Sequence, residues 1–88
     1  GAPPVYQNET EERLARIWQD LLRVSKVDPT ANFFDLGGDS ITLLRLLNFI
    51  PVEFGAHLSF SDIFANPVLT ELAQKIIGRS DERQVEFL

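Results

Sequence analysis

Asn32-Phe33-Phe34-Asp35-Leu36-Gly37-Gly38-Asp39-Ser40 is the stretch on which the reading of this 88-residue chain turns. Two adjacent glycines, Gly37 and Gly38, permit backbone angles closed to other residues and let another protein approach closely. Asp39 is placed to cap a helix that starts at Ser40. At such a start, free backbone N–H groups and the positive end of the helix dipole favour an anion. A serine bearing a phosphodiester suits that place, and the sharp turn before it leaves the hydroxyl exposed.

Outward from this stretch the pattern is helical. Upstream, Asn8 reads as an N-cap with Glu11 three residues later, a capping-box-like pair. Leu14, Ile17, Trp18, Leu21 and Leu22 recur at helical spacing as one apolar stripe and place the first helix at about 9–23. Glu9–Arg13 and Glu12–Arg16 are i, i+4 pairs on its wet face. Residues 24–38 form a long loop broken by Pro29, Gly37 and Gly38, in which Val27, Phe33, Phe34 and Leu36 need burial. Beyond Ser40, Leu43, Leu46, Leu47 and Ile50 make the core stripe of a second helix. Pro51 is expected to end or bend it, because it lacks an N–H and restricts Ile50.

Ser59 with Asp62 suits the cap of a short third helix near 60–64, and Gly55 marks the turn before it. Asn66 reads as the cap of the last helix, with Pro67 at its first position. Leu69, Leu72, Ala73 and Ile76 form its stripe and Gly78 its stop. No strand pattern and no repeat is present. The expected fold is all-α, a small four-helix bundle with a long first loop and a short third helix. Residues 1–8 read as a linker, since Pro3 and Pro4 block regular structure; 9–78 read as the folded unit and 79–88 as a charged tail or linker. A start at Gly1 rather than Met points to a segment of a longer protein.

Composition narrows the function classes. A domain of this size has a thin core and little room for a substrate pocket of its own. The net charge of −5 argues against nucleic acid, which calls for clustered Lys and Arg. The chain has no cysteine, so it offers no disulfide, no thiolate metal site and no thiol nucleophile. No signal peptide is visible, and the most apolar run, 43–50, is interrupted by Arg45 and Asn48 and too short to span a bilayer. These features lean toward a cytoplasmic setting.

Asn32 to Ser40 also resembles the attachment motif of phosphopantetheine-dependent carrier domains, N-F-F-x-L-G-G-D-S. The resemblance extends from the helix of Trp18 to Phe64-Ala65-Asn66-Pro67 and the last helix. It is most similar to the peptidyl carrier (thiolation) domains of nonribosomal peptide synthetases, through the Gly-Gly pair and a second helix with Arg45 as its one charge over residues 41–50. The family fold is the acyl-carrier-protein-like bundle. The resemblance implies a non-catalytic domain of a larger synthetase, with 4'-phosphopantetheine from coenzyme A joined covalently to Ser40 and an aminoacyl, peptidyl or other acyl group held as a thioester on its thiol. Gly38 and Asp39 belong to the same cofactor-binding motif. The implied partners are a phosphopantetheinyl transferase and adenylation, condensation, thioesterase or tailoring domains, met by a monomer. Pro51 and Val68 depart from the family pattern, which continues the second helix and often has Thr after the proline.

On the second helix, Ile41 points away from the core stripe and Leu44 lies at its edge nearer Ser40. The resemblance places partner contacts just after the serine, so Ile41 and Leu44 form the expected partner face. An acyl or aryl carrier of a polyketide or hybrid synthase is the alternative. A GDSL-like hydrolase is a remote reading of Gly38-Asp39-Ser40-Ile41. It needs Asp-x-x-His, and the single histidine, His57, has Phe54 three residues before it. A plain helical interaction module leaves Gly37–Ser40 without a reason. His57 reads as a surface loop residue with no companion metal ligands, Trp18 as core, and Glu9, Glu11 and Glu12 as ordinary first-turn acids.

Overall fold

Asn8 starts the bundle as its sequence indicates. In the computed structural model, which describes residues 2–86 and the side chains of 2–80, Asn8 Oδ1 accepts the Glu11 amide at 2.8 Å. Helix α1 then runs Glu9–Leu22 and closes on Arg23 in the left-handed conformation, φ 56°. Helices α2 (Ser40–Phe54), α3 (Phe60–Ala65) and α4 (Leu69–Glu86) follow. The architecture is the expected all-α bundle with a long first loop. α1 packs on α4 and α2, and α2 on α3 and α4.

The core draws on every element. Leu14 and Trp18 of α1, Leu43, Leu46 and Ile50 of α2, Ile63 of α3, and Leu69, Leu72 and Ile76 of α4 are all buried. Each such side chain contributes roughly 1.5–3 kcal/mol of burial. The loop adds Val27 and Phe33, both buried, while Phe34 and Leu36 pack at the margin. Leu47 also lies at the margin rather than in the core. Trp18 is fully buried, yet its Nε1 finds no acceptor within the described chain.

Four local expectations are corrected. First, of the two outcomes expected at Pro51, an end or a bend, the end does not occur. Helix α2 continues to Phe54, and Gly55 closes it in the left-handed conformation with its N–H on Pro51 O. The turn after Pro51 is held from outside: Arg13 donates to Glu53 O at 2.7 Å, and Ser80 Oγ donates to Phe54 O at 3.1 Å. Those bonds offset the one donor that Pro51 lacks. Second, Asn66 does not cap the last helix. It ends α3, with its backbone N–H and Nδ2 both on Asp62 O. The first amides of α4 are met instead by loop carbonyls, Leu69 N–H on Ala31 O and Thr70 N–H on Pro29 O, each 3.0 Å. Beside them Phe33 N–H donates to Pro67 O, and Asn32 and Val68 form an antiparallel bridge.

Third, Gly78 does not stop α4, which runs on to Glu86. Gly78 lacks the positive φ seen at Gly37 and Gly55, and an interior glycine weakens a helix by about 1 kcal/mol without ending it. The last two residues of the 79–88 tail lie outside the described residues. Fourth, Arg13 pairs with Glu53 at 2.9 Å and lies over the Phe54 ring, rather than pairing with Glu9. The Glu12–Arg16 pair forms as expected, at 2.7 Å. Ser59 and Asp62 make a reciprocal capping box on α3.

Candidate functional site

The Asn32–Ser40 stretch folds as one tight turn on an aromatic base. Asn32 Oδ1 accepts the Phe34 and Asp35 amides at 2.9 and 3.3 Å, and Leu36 N–H donates to Asn32 O. Gly37 takes φ 105°, which a side chain would resist. Gly38 N–H donates to Phe33 O at 3.0 Å, and a Cβ there would meet the Phe33 ring at 2.3 Å. Contact with its own chain is therefore enough to require glycine at position 38. Phe33 in turn sits edge-on to Trp18 and to Phe34, and Phe34 stacks on Phe64 of α3. The turn is thus keyed to α1 on one side and α3 on the other.

Asp39 caps α2 reciprocally with Thr42. Its carboxylate accepts the Thr42 amide at 2.9 Å, while its own N–H donates to Thr42 Oγ1 at 2.8 Å. These bonds from the Thr42 amide and hydroxyl hold the Asp39 carboxyl below its ordinary 3.8, with lesser help from the Ile41 amide and Arg45. The anion at this helix start is thus already the Asp39 side chain, so the dipole alone does not reserve the place for a phosphodiester.

Ser40 is the first residue of α2 and is exposed, and its hydroxyl makes no hydrogen bond among the described residues. Among the described residues no base is poised on it. His57 is exposed in the loop between α2 and α3, where its carbonyl accepts from Arg79. No group of three His, Cys, Asp or Glu able to hold a metal occurs among the described residues. Among those residues no helix is long and apolar enough to cross a membrane.

Ile41 and Leu44 are 65% and 53% exposed, outward as their helical positions require. The sequence reading missed three further exposed apolar side chains: Phe49 and Val52 on α2 and Phe64 on α3. Val52 and Phe49 follow Ile41 and Arg45 by helical turns, a signal present in the spacing. Phe64 had none, because its exposure depends on how α3 lies against the Asn32–Ser40 turn.

Known proteins with these features are numerous. The family model for the phosphopantetheine attachment site matches residues 12–76. Bacitracin synthase 3 of Bacillus licheniformis is 40% identical over 80 residues, covering 91% of this chain and 1% of that protein. Surfactin synthase subunit 1 of Bacillus subtilis (strain 168) is 41% identical over 76 residues, 86% of this chain and 2% of that protein. The chain thus spans a small part of the curated relatives it matches. Among solved structures, an active-site mutant peptidyl carrier protein superposes with TM-score 0.81 at 30% identity, over 91% of this chain and 89% of that one. The complex of the phosphopantetheine transferase Sfp with coenzyme A and a peptidyl carrier protein gives 0.82 at 30% identity, over 86% and 99%.

Proposed function

The chain belongs to the phosphopantetheine attachment-site family, as a carrier domain of the nonribosomal peptide synthetase type, and we propose that Ser40 is the residue that bears its arm. The observation that carries this assignment is the exposed Ser40 hydroxyl, unbonded among the described residues, at the first position of α2, on a turn shaped by Gly37, Gly38 and Phe33. Among the described residues, none hydrogen-bonds that oxygen and none is placed to activate it. A separate phosphopantetheinyl transferase must therefore supply the base and the coenzyme A. Ser40 Oγ gives its proton to the transferase's base and forms the new bond to the pantetheine-side phosphorus, as the pyrophosphate P–O bond breaks and adenosine 3',5'-bisphosphate leaves with the electron pair. When bound, the arm supplies the thiol that this cysteine-free chain lacks and holds acyl cargo as a thioester.

The chain's own residues do the positioning. Asp39 and Thr42 fix the first turn of α2, and Gly38 seats that turn on Phe33. Ile41 and Leu44, beside Ser40, form the face that adenylation, condensation, thioesterase or tailoring domains approach. The domain performs no chemistry of its own in this reading and works in the cytoplasm as one unit of a larger synthetase. Its folded unit reaches past residue 78, because Ser80 Oγ bonds to Phe54 O. Residues 1–8, of which Tyr6 and Gln7 bond to the bundle, and the remainder of 79–88 lead toward its neighbours.

Incubation with coenzyme A and a broad-specificity transferase should add one phosphopantetheine to the intact mass. The Ser40→Ala variant should keep its fold, since the position is exposed, and gain no mass. Equal modification of both proteins would remove Ser40 from the role.

A further inference from the structure

Glu11 is the one buried charged residue among those described, and helix capping does not account for its bonds. In a reciprocal box it would return to the Asn8 amide. Instead Glu11 Oε1 accepts the Gln7 amide at 2.9 Å, and Glu11 Oε2 accepts Thr70 Oγ1 of α4 at 2.7 Å. A buried carboxylate is tolerated when each oxygen is hydrogen-bonded, and here one oxygen is spent on the segment before α1. A second tie is independent of it. The Tyr6 hydroxyl donates to Val27 O at 2.7 Å, 21 residues away, and its ring packs on the core. Partial burial, with Asp28 and Glu12 nearby, raises the Tyr6 phenol above its ordinary 10.0 and keeps it a donor. Pro4 borders hollows lined on one side by α1 and on the other by Ala31 and Leu36 of the first loop.

We propose that α1 and the first loop form a docking surface for the chain's own segment 4–7, latched by Tyr6 and Glu11, so that any free tether upstream ends before Pro4 and not at Asn8. Pinning about four residues removes roughly 14 Å of extended reach. Tether length sets the effective concentration of a carried group at a partner's site. The latch therefore limits how far this domain travels from whatever precedes it. That consequence rests on the carrier reading, whereas the latch itself does not.

Nitrogen-15 relaxation and amide exchange on the full 88-residue chain, made with Ser40→Ala so that no arm is present, test it. Residues 5–8 should be as ordered as α1, with the Gln7 amide protected. Tyr6→Phe removes one hydroxyl and should lower that protection about fivefold, the effect of one lost hydrogen bond. Val5→Ala, at a side chain 85% exposed, should leave it unchanged. Coil-like motion of residues 5–7 in the parent protein would overturn the latch, as would equal Gln7 protection in Tyr6→Phe and Val5→Ala. The mass assay on the Ser40 form is separate, so loss of the latch leaves the attachment assignment standing, and the reverse.

Discussion

A methyl group at position 38 would sit 2.3 Å from Phe33 Cδ2 and 2.7 Å from the Phe33 carbonyl oxygen. The ring could tilt, but the oxygen is already the acceptor for the Gly38 amide and cannot move away without breaking the turn. Gly38→Ala should therefore cost about 1–3 kcal/mol in urea melts, the usual range for overpacking, and slow the modification of Ser40. Gly37 is glycine for another reason. It has open space around it but a φ of 105°. Adjacent glycines look alike in a sequence. Their position before a capped serine was legible there, and so was the exposure of Ser40. Their separate roles were not, because the Phe33 ring comes beneath Gly38 only once the turn has closed. The burial of Glu11 was hidden for the same reason: its partner Thr70 lies 59 residues away.

Helices show where local rules yield to packing. Pro51 argued for an early end to α2, yet Arg13 and Ser80 hold the following turn from two other helices. Gly78 argued for an early end to α4, yet α4 passes through it with nothing within 4 Å of where a Cβ would stand. Gly78→Ala should accordingly stabilise the chain by about 1 kcal/mol, read as a higher urea midpoint. On α2 the two faces should respond differently to truncation. Leu46→Ala, at a fully buried site, should cost about 2–5 kcal/mol. Ile41→Ala should change stability by no more than about 0.5 kcal/mol while slowing loading or condensation by partner domains. Unchanged rates with every partner for both Ile41→Ala and Leu44→Ala would remove these residues from the partner face. The spacing of Leu43, Leu46 and Ile50 made this division readable from the sequence. Leu47 was misplaced because a stripe about 100° wide has an edge, and only the packed bundle shows on which side of it Leu47 falls.

At the scale of the whole molecule, the −5 net charge includes carboxylates that bind their proton more weakly once folded. Asp39 is held below 3.8 by Thr42, Asp28 by Thr30, and Asp62 first by the Ser59 amide, then by its hydroxyl, Arg79 and Lys75. A carboxyl with a lowered folded value adds stability above its unfolded value and loses it as pH falls through the folded one. Urea midpoints should therefore hold from neutral pH to about 5, then decline across about 4 to 2. Asp62→Asn should flatten part of that decline. The bundle class and helix count were legible because amphipathic spacing and caps are local. The seams between loop and helix were not, since the Ala31, Pro29 and Pro67 carbonyls that join the first loop to α4 carry no residue-type signal. One consequence of the core concerns observation. Trp18 is the chain's single tryptophan, wholly enclosed, edge-on to Phe33, with an indole N–H that no described residue accepts. Its fluorescence should therefore be that of an indole kept from water, emitting to the blue and shifting red on unfolding in urea. The natural protein carries its own optical probe one ring away from the turn that presents Ser40.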